Sequence, residues 1–155
     1  MKQIDQATLD QLCQEAETAP RRRAHLNLHE DLGEDLQRLL IAIQSDSYFR
    51  PHRHPEDYKK ETIVVLQGRC ACYTFHDDGT IDQVTMLDSD KGAFLCEMPD
   101  RQWHTLVCLA DNTVVLEFKK GPYEPLAPEN FAPWAPEENT EASSSYQASL
   151  KTALR

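Results

Sequence analysis

The stretch "RPHRHPEDYKKETIVVLQG", Arg50 to Gly68, places two histidines one residue apart, then a polar loop, then a glutamate at the head of an apolar run. Side chains at i and i+2 of a strand point the same way with Cα atoms roughly 6.5 to 7 Å apart, so His52 and His54 can converge on one ion. Metal–nitrogen distances near ~2.1 Å are within reach of both rings. Glu61 adds an anionic oxygen and opens "ETIVVLQG", a run expected to pair antiparallel with the strand before it, across the proline-led loop "PEDYKK". A fourth donor has to come from a distant strand, and "GAFLCEMPDRQWHTLV" supplies His104 after a turn led by Pro99. Three imidazoles and one carboxylate suit Fe(II), Mn(II), Ni(II) or Zn(II); Ca(II) and Mg(II) want all-oxygen shells.

Outward from this stretch the pattern is one of short apolar runs separated by turn signals: "LQRLLIAI", "TIVVLQG", "RCACYTFHDDG", "TIDQVTML", "GAFLCEM", "HTLVCLAD" and "NTVVLEFKKG". Such spacing predicts an all-β sandwich or barrel. "DDG" at Asp77 to Gly79 reads as a hairpin turn, and "ADN" at Ala110 to Asn112 as a second one. Before the runs, Ile4, Leu9, Leu12, Cys13 and Ala16 recur at a helical spacing that Pro20 stops, giving one short N-terminal helix. After Lys120, "GPYEPLAPENFAPWAPEEN" holds too many prolines for a helix or central strand, and its aromatics suggest an extended wrap on the barrel. The polar, Ser-rich remainder is expected to be disordered or to end in a weakly docked helical turn. The expected organisation is therefore an N-terminal helix and arm (1–22), a barrel with its proline-rich wrap (23–136) and a tail (137–155).

Sixteen Lys and Arg against 26 Asp and Glu give a formal charge of -10, so the phosphate attraction that dominates nucleic-acid binding is on average repulsive here. Nucleic acid and anionic membrane surfaces are excluded as expected partners; a small molecule is the expected ligand. The N-terminus lacks the apolar core of a signal peptide and no run reaches membrane-spanning length, which points to the cytosol. Five cysteines without a CxxC pair argue for buried, reduced thiols, with a thiolate metal site as the alternative.

At the level of motifs the sequence resembles the cupins. Their first motif, HxH, a glutamate, six residues and a glycine, is matched by His52, His54, Glu61 and Gly68; their second by Gly92, Pro99 and His104. "RAHLNLH", "LQRLLIA", "SYFRPHRH", "GPYEP" and "FAPWAPEE" look like the WbuC-type cupin fold metalloproteins over about Arg23 to Glu138. The resemblance implies a cupin-type β-barrel or jelly roll, one divalent transition metal ion (Fe, Mn, Ni or Zn) on His52, His54, Glu61 and His104, and an association with bacterial surface-polysaccharide (O-antigen) sugar biosynthesis. The interval from His54 to Glu61 is longer than the family's, which keeps Glu56 or Asp57 as alternative donors. Arg101 stands where many cupins have a turn glycine, and Cys108 where many have asparagine.

Tyr48, Lys59, Arg38, Tyr73 and Lys119 are the candidate substrate contacts, Tyr48 because it precedes the histidine pair on the same strand face. His25 and His29 are read as packing or rim residues and His76 as exposed; Trp103 either walls the site or belongs to the core. Two functions fit: a metal-dependent enzyme, such as an isomerase or oxygenase acting on a small sugar-like or anionic metabolite, or a non-catalytic module that binds or senses a ligand. A homodimer is compatible with both.

Overall fold

Asp5 caps the first helix by accepting the Thr8 N–H, and α1 (Gln6–Thr18) runs until the chain turns extended at Ala19, before Pro20. Its buried face, Leu9, Leu12, Cys13 and Ala16, packs on Leu40, Ala42 and Val114 of the sheet beneath. The computed structural model describes residues 1–56 and 59–154. Eight strands follow: β1 (Arg23–Asn27), β2 (Leu36–Ile43), β3 (Glu61–Gln67), β4 (Arg69–Phe75), β5 (Ile81–Asp88), β6 (Leu95–Met98), β7 (Trp103–Cys108) and β8 (Thr113–Lys120). They form a five-stranded sheet in the order β1-β2-β8-β3-β6 and a three-stranded sheet in the order β5-β4-β7. All pairings are antiparallel. The result is a cupin-type jelly roll with a short N-terminal helix.

Every apolar run of the sequence becomes a strand, and the alternation of each strand sorts its residues between two faces. Ile41, Ile63, Val65, Cys70, Cys72, Leu106 and Val115 meet between the sheets as the core. The chain crosses from one sheet to the other at Gly68, whose φ of +78° is open to glycine; a Cβ there would lie 2.6 Å from Thr113 Oγ1 and 3.0 Å from Thr113 Cα.

Two connections differ from the sequence reading. "ADN" is not a hairpin turn, because β7 and β8 lie in different sheets and the turn carries the chain between them. The segment holding His52 pairs not with β3 but with β7 on one side and the proline-rich wrap on the other, through isolated bridges from His52 to His104 and Phe131. The strand β3 pairs instead with β6 and β8.

The tail also departs from expectation. Residues 137–155 include a second helix, α2 (Glu141–Thr152), opened by a capping box in which Thr140 and Ser143 bond reciprocally. Leu150 of α2 joins Tyr73, Phe75, Trp103 and Val107 on the outer face of the three-stranded sheet, with Ala132 and Ala135 of the wrap. The outer face of one sheet is thus covered by α1 and that of the other by the wrap and α2.

Candidate metal centre

His52 and His104 face each other across a two-bond backbone bridge, His52 N–H to His104 O at 3.0 Å and His104 N–H to His52 O at 2.9 Å. Residues directly opposite in an antiparallel pair project to the same side, and their rings stand 4.6 Å apart. His54, two residues on, brings its ring to 5.3 Å from His52 and 5.6 Å from His104. Glu61 enters from the other sheet as the first residue of β3, opposite Met98 of β6 and Lys119 of β8. Its Oε1 lies 2.7 Å from His54 Nε2 and its Oε2 3.2 Å from His104 Nε2.

One donor atom from each of His52, His54, Glu61 and His104 lies within 4.8 Å of the others. Two donors on one ion with bonds near ~2.1 Å are at most about 4.2 Å apart, so the set closes on an ion with movements of about half an ångström. His54, Glu61 and His104 are 4–5 % exposed. The Nδ1 atoms of His52 and His104 meet the backbone carbonyls of Arg50 and Gln102 at 3.1 and 2.8 Å. Those carbonyls accept the Nδ1 protons, which turns the Nε2 atoms of the two rings toward the cluster, as in metal-binding histidines. The donor set therefore fits a divalent transition metal and not an all-oxygen cation.

Charge is distributed unevenly over the cluster. Burial, reinforced by His104, pushes the His52 imidazole down to about 3, so it is neutral. Burial works against charge on Glu61, but the Lys119 ammonium and the hydrogen bonds from His104 and His54 hold its carboxyl well below the usual range. Burial likewise opposes the His104 cation, and the Glu61 carboxylate outweighs it and raises His104. Lys119 donates to Glu61 Oε1 at 2.6 Å; against burial, Glu61 and Glu117 keep it charged.

The cluster opens on a cavity of about 470 Å³ walled by Arg50, His25, His29, Glu117, Lys119 and Tyr123 among polar groups, and by apolar side chains including Leu39, Ile41, Phe49 and Ile63. Of the five candidate substrate contacts, Lys119 alone lines it. Arg38 alternates with the inward-facing Gln37 and Leu39, so it points to the opposite face, where it pairs with Glu34 at 2.9 Å. Tyr73 alternates with the core residues Cys70 and Cys72 in the same way; it lies under α2 and its hydroxyl donates to Leu150 O at 2.8 Å. Tyr48 precedes the histidines in irregular chain where strand parity does not hold, and donates to Pro136 O. Lys59 is held by Glu56 and Glu124 at 3.2 and 3.4 Å.

Glu56 is thus committed to Lys59 and is not part of the four-donor group, while Asp57 lies outside the described residues. His76 is exposed and faces Asp82, and Trp103 is core, donating to Asp77 Oδ1. His25 and His29 are cavity wall; His29 is buried, and His25, exposed to solvent on one side, is pushed down to about 4 by desolvation and then by Arg23 and Arg21. Glu117 was not singled out in the sequence. The alternation Val115, Glu117, Lys119 was the available signal: it sets the carboxyl on the inner face between Leu39 and Ile63, where burial and then Glu61 raise it to about 7.

A family profile described as a domain of unknown function (DUF6016) matches residues 4–87, from before α1 into β5, and includes His52, His54 and Glu61. The chain belongs to the DUF6016 family. Solved structures place this DUF6016 chain's fold among known ones. An oxalate oxidase in complex with the substrate analogue glycolate is 12 % identical, with 70 % of this chain and 55 % of that one covered at a TM-score of 0.54. The oxalate decarboxylase of Bacillus subtilis, described with Mn(II) centres, is 15 % identical, with 66 % and 26 % covered and a TM-score of 0.51. An RmlC-like cupin protein from Desulfovibrio desulfuricans is 19 % identical, with 63 % and 81 % covered and a TM-score of 0.49. The DUF6016 chain spans about half of the oxidase and about a quarter of the decarboxylase, and at these identities the likeness is one of fold. No curated protein matches the sequence. Among the described residues no helix is long and apolar enough to cross a membrane.

Proposed function

We propose that this protein is a metal-binding cupin in which His52, His54, Glu61 and His104 hold one divalent ion, and that it is an enzyme acting on a small anionic or sugar-like metabolite. The observation that carries the reading is the convergence of four donors, of which His52, Glu61 and His104 line a cavity of about 470 Å³, a size suited to a small molecule. A bound divalent ion supplies a Lewis acid with open positions beside its four protein ligands. The chain's own groups supply the rest. Lys119 fixes the Glu61 carboxylate, Arg50 brings positive charge to the cavity wall, and Glu117, with its carboxyl raised to about 7, can hold or release a proton inside it.

We further place the chain in the WbuC-type branch, with a role in bacterial surface-polysaccharide sugar biosynthesis in the cytosol. Residues of the motifs that carry that resemblance cluster on one feature: Arg23, His25 and His29 of "RAHLNLH", Tyr123 of "GPYEP", and Phe131 and Glu138 of "FAPWAPEE" all line the cavity. The five free cysteines fit a reducing compartment.

The test uses Mn(II)-loaded protein and the proton relaxation of two probes, glycolate as the anion and glucose as the neutral sugar. Relaxation of either probe enhanced by the loaded wild type, and not by a His52→Ala and His54→Ala double variant, supports an accessible ion beside a ligand cavity. Enhancement of neither, with manganese bound, contradicts the enzyme reading and leaves the ion a structural role.

A further inference from the structure

Four of the five cysteines sit in or against the core between the sheets: Cys70 and Cys72 on β4, Cys96 on β6 and Cys108 on β7. Two of them meet. Cys96 Sγ lies 2.9 Å from Cys72 Sγ, about 0.9 Å longer than a disulfide bond of ~2.0 Å. The two residues lie 24 apart in sequence and on different sheets, so local chain geometry does not account for the approach. Cys72 is 4 % exposed and Cys70 and Cys108 are fully buried, whereas Cys96 is half-buried on an edge strand and within reach of solvent.

We propose that Cys72 and Cys96 form a reversible disulfide that joins the two sheets, with Cys96 as the thiol that a peroxide reaches first. The reaction has two steps. The Cys96 thiolate attacks one oxygen of hydrogen peroxide, breaking the O–O bond, giving the Cys96 sulfenic acid and releasing hydroxide. The Cys72 sulfur then attacks the Cys96 sulfur; the S–O bond breaks, and the hydroxyl leaves as water with the Cys72 proton. Two thiols are oxidised and one peroxide is reduced to two waters. The contact with Cys72 also holds the Cys96 thiol below its ordinary value, while hydrogen bonding with Cys70 and Cys96 raises Cys72, so the two sulfurs divide into an attacking and a resolving thiol.

The bond would act on the strand that flanks the metal centre. Cys96 pairs with Ile63 and Met98 with Glu61 along the β3–β6 ladder, while Cys72 pairs with Leu106 of β7, the strand that carries His104. Oxidation therefore fastens the neighbour of Glu61 to the sheet of His104. The inference does not depend on the metal-site reading, since the sulfur contact exists whether or not the four donors hold an ion.

The experiment treats the full chain with a small excess of hydrogen peroxide, counts thiols in denaturant and maps disulfides by mass spectrometry without reduction. The wild type is expected to lose two of its five thiols, to yield one peptide pair linked through Cys72 and Cys96, and to recover both thiols with dithiothreitol. Cys13→Ser should behave the same. Cys96→Ser, folded by circular dichroism, should lose none, and Cys72→Ala should leave a sulfenic acid on Cys96 that dimedone traps. A full thiol count after treatment, a bond between any other pair, or oxidation of Cys96 to sulfinic acid with Cys72 untouched in the wild type would overturn the proposal.

Discussion

Lys119→Met removes the ammonium from a carboxylate that His54, His104 and Lys119 all approach. Lys119 Nζ stands 2.6 Å from Glu61 Oε1, and the Glu61 side chain is 7 % exposed and that of Lys119 20 %. At an effective dielectric of about 20 the gross attraction at that distance is on the order of 6 kcal/mol, largely offset by desolvation of the two ions. Removing one member of a buried pair typically costs about 3–5 kcal/mol. Here His54 and His104 still approach the carboxylate, so a loss of about 2–3 kcal/mol is expected for the metal-free protein. A divalent ion on Glu61 would neutralise the same oxygens, and the loss should shrink to about 1 kcal/mol when the site is loaded. By linkage, the difference of about 1–2 kcal/mol is affinity: the variant should bind the ion about 5- to 30-fold more tightly than the wild type. Urea unfolding of both proteins, with and without saturating Zn(II), measures all four states. An equal loss in the loaded and metal-free proteins would refute the reasoning, since it would mean that Glu61 does not contact the ion.

Leu150→Ala should destabilise the protein by about 2–5 kcal/mol, because the side chain is 4 % exposed and packs in the cluster beneath α2. For a chain of this size each kcal/mol shifts Tm by about 2–4 °C, so calorimetry reads the effect directly, and an unchanged Tm would mean that α2 does not hold the sheet. His25 is neutral in the fold, its value depressed to about 4, whereas the unfolded chain binds a proton near pH ~6.5. Its contribution is therefore present above pH ~6.5 and lost as pH falls towards 4, since the unfolded state then binds more protons. His25→Gln should flatten the fall in urea-measured stability between those values; an unaltered slope would mean that the cavity wall does not lower His25.

The histidine pair, Glu61 and His104 were legible because two facts sufficed: side chains alternate along a strand, and transition metals favour these donors. The strands were legible for a similar reason, each being a short apolar run closed by a turn residue. What the sequence hid was the phase of each run against the rest of the fold. Arg38 and Tyr73 lie one residue from inward-facing neighbours, and a shift of one residue exchanges cavity for outer surface. Glu117 was passed over for the same reason, being an acid within a run otherwise read for its apolar residues. The helix α2 has Ser143, Gln147 and Leu150 as its buried residues, too small an apolar stripe to stand out, and it folds because the outer face of β4 and β7 supplies a surface. The partner of the His52 segment was hidden too, since pairing with β7 and the wrap depends on contacts distant in sequence.

The central claim is that four side chains from two sheets hold one ion, and elemental analysis tests it most directly. The protein, purified without a histidine tag and dialysed, is compared with the His52→Ala and His54→Ala double variant after both are shown to be folded. The expected result is near one equivalent of iron, manganese, nickel or zinc in the wild type and almost none in the variant. Equal metal in both, or a folded wild type that neither carries metal nor takes up added metal, would contradict the assignment.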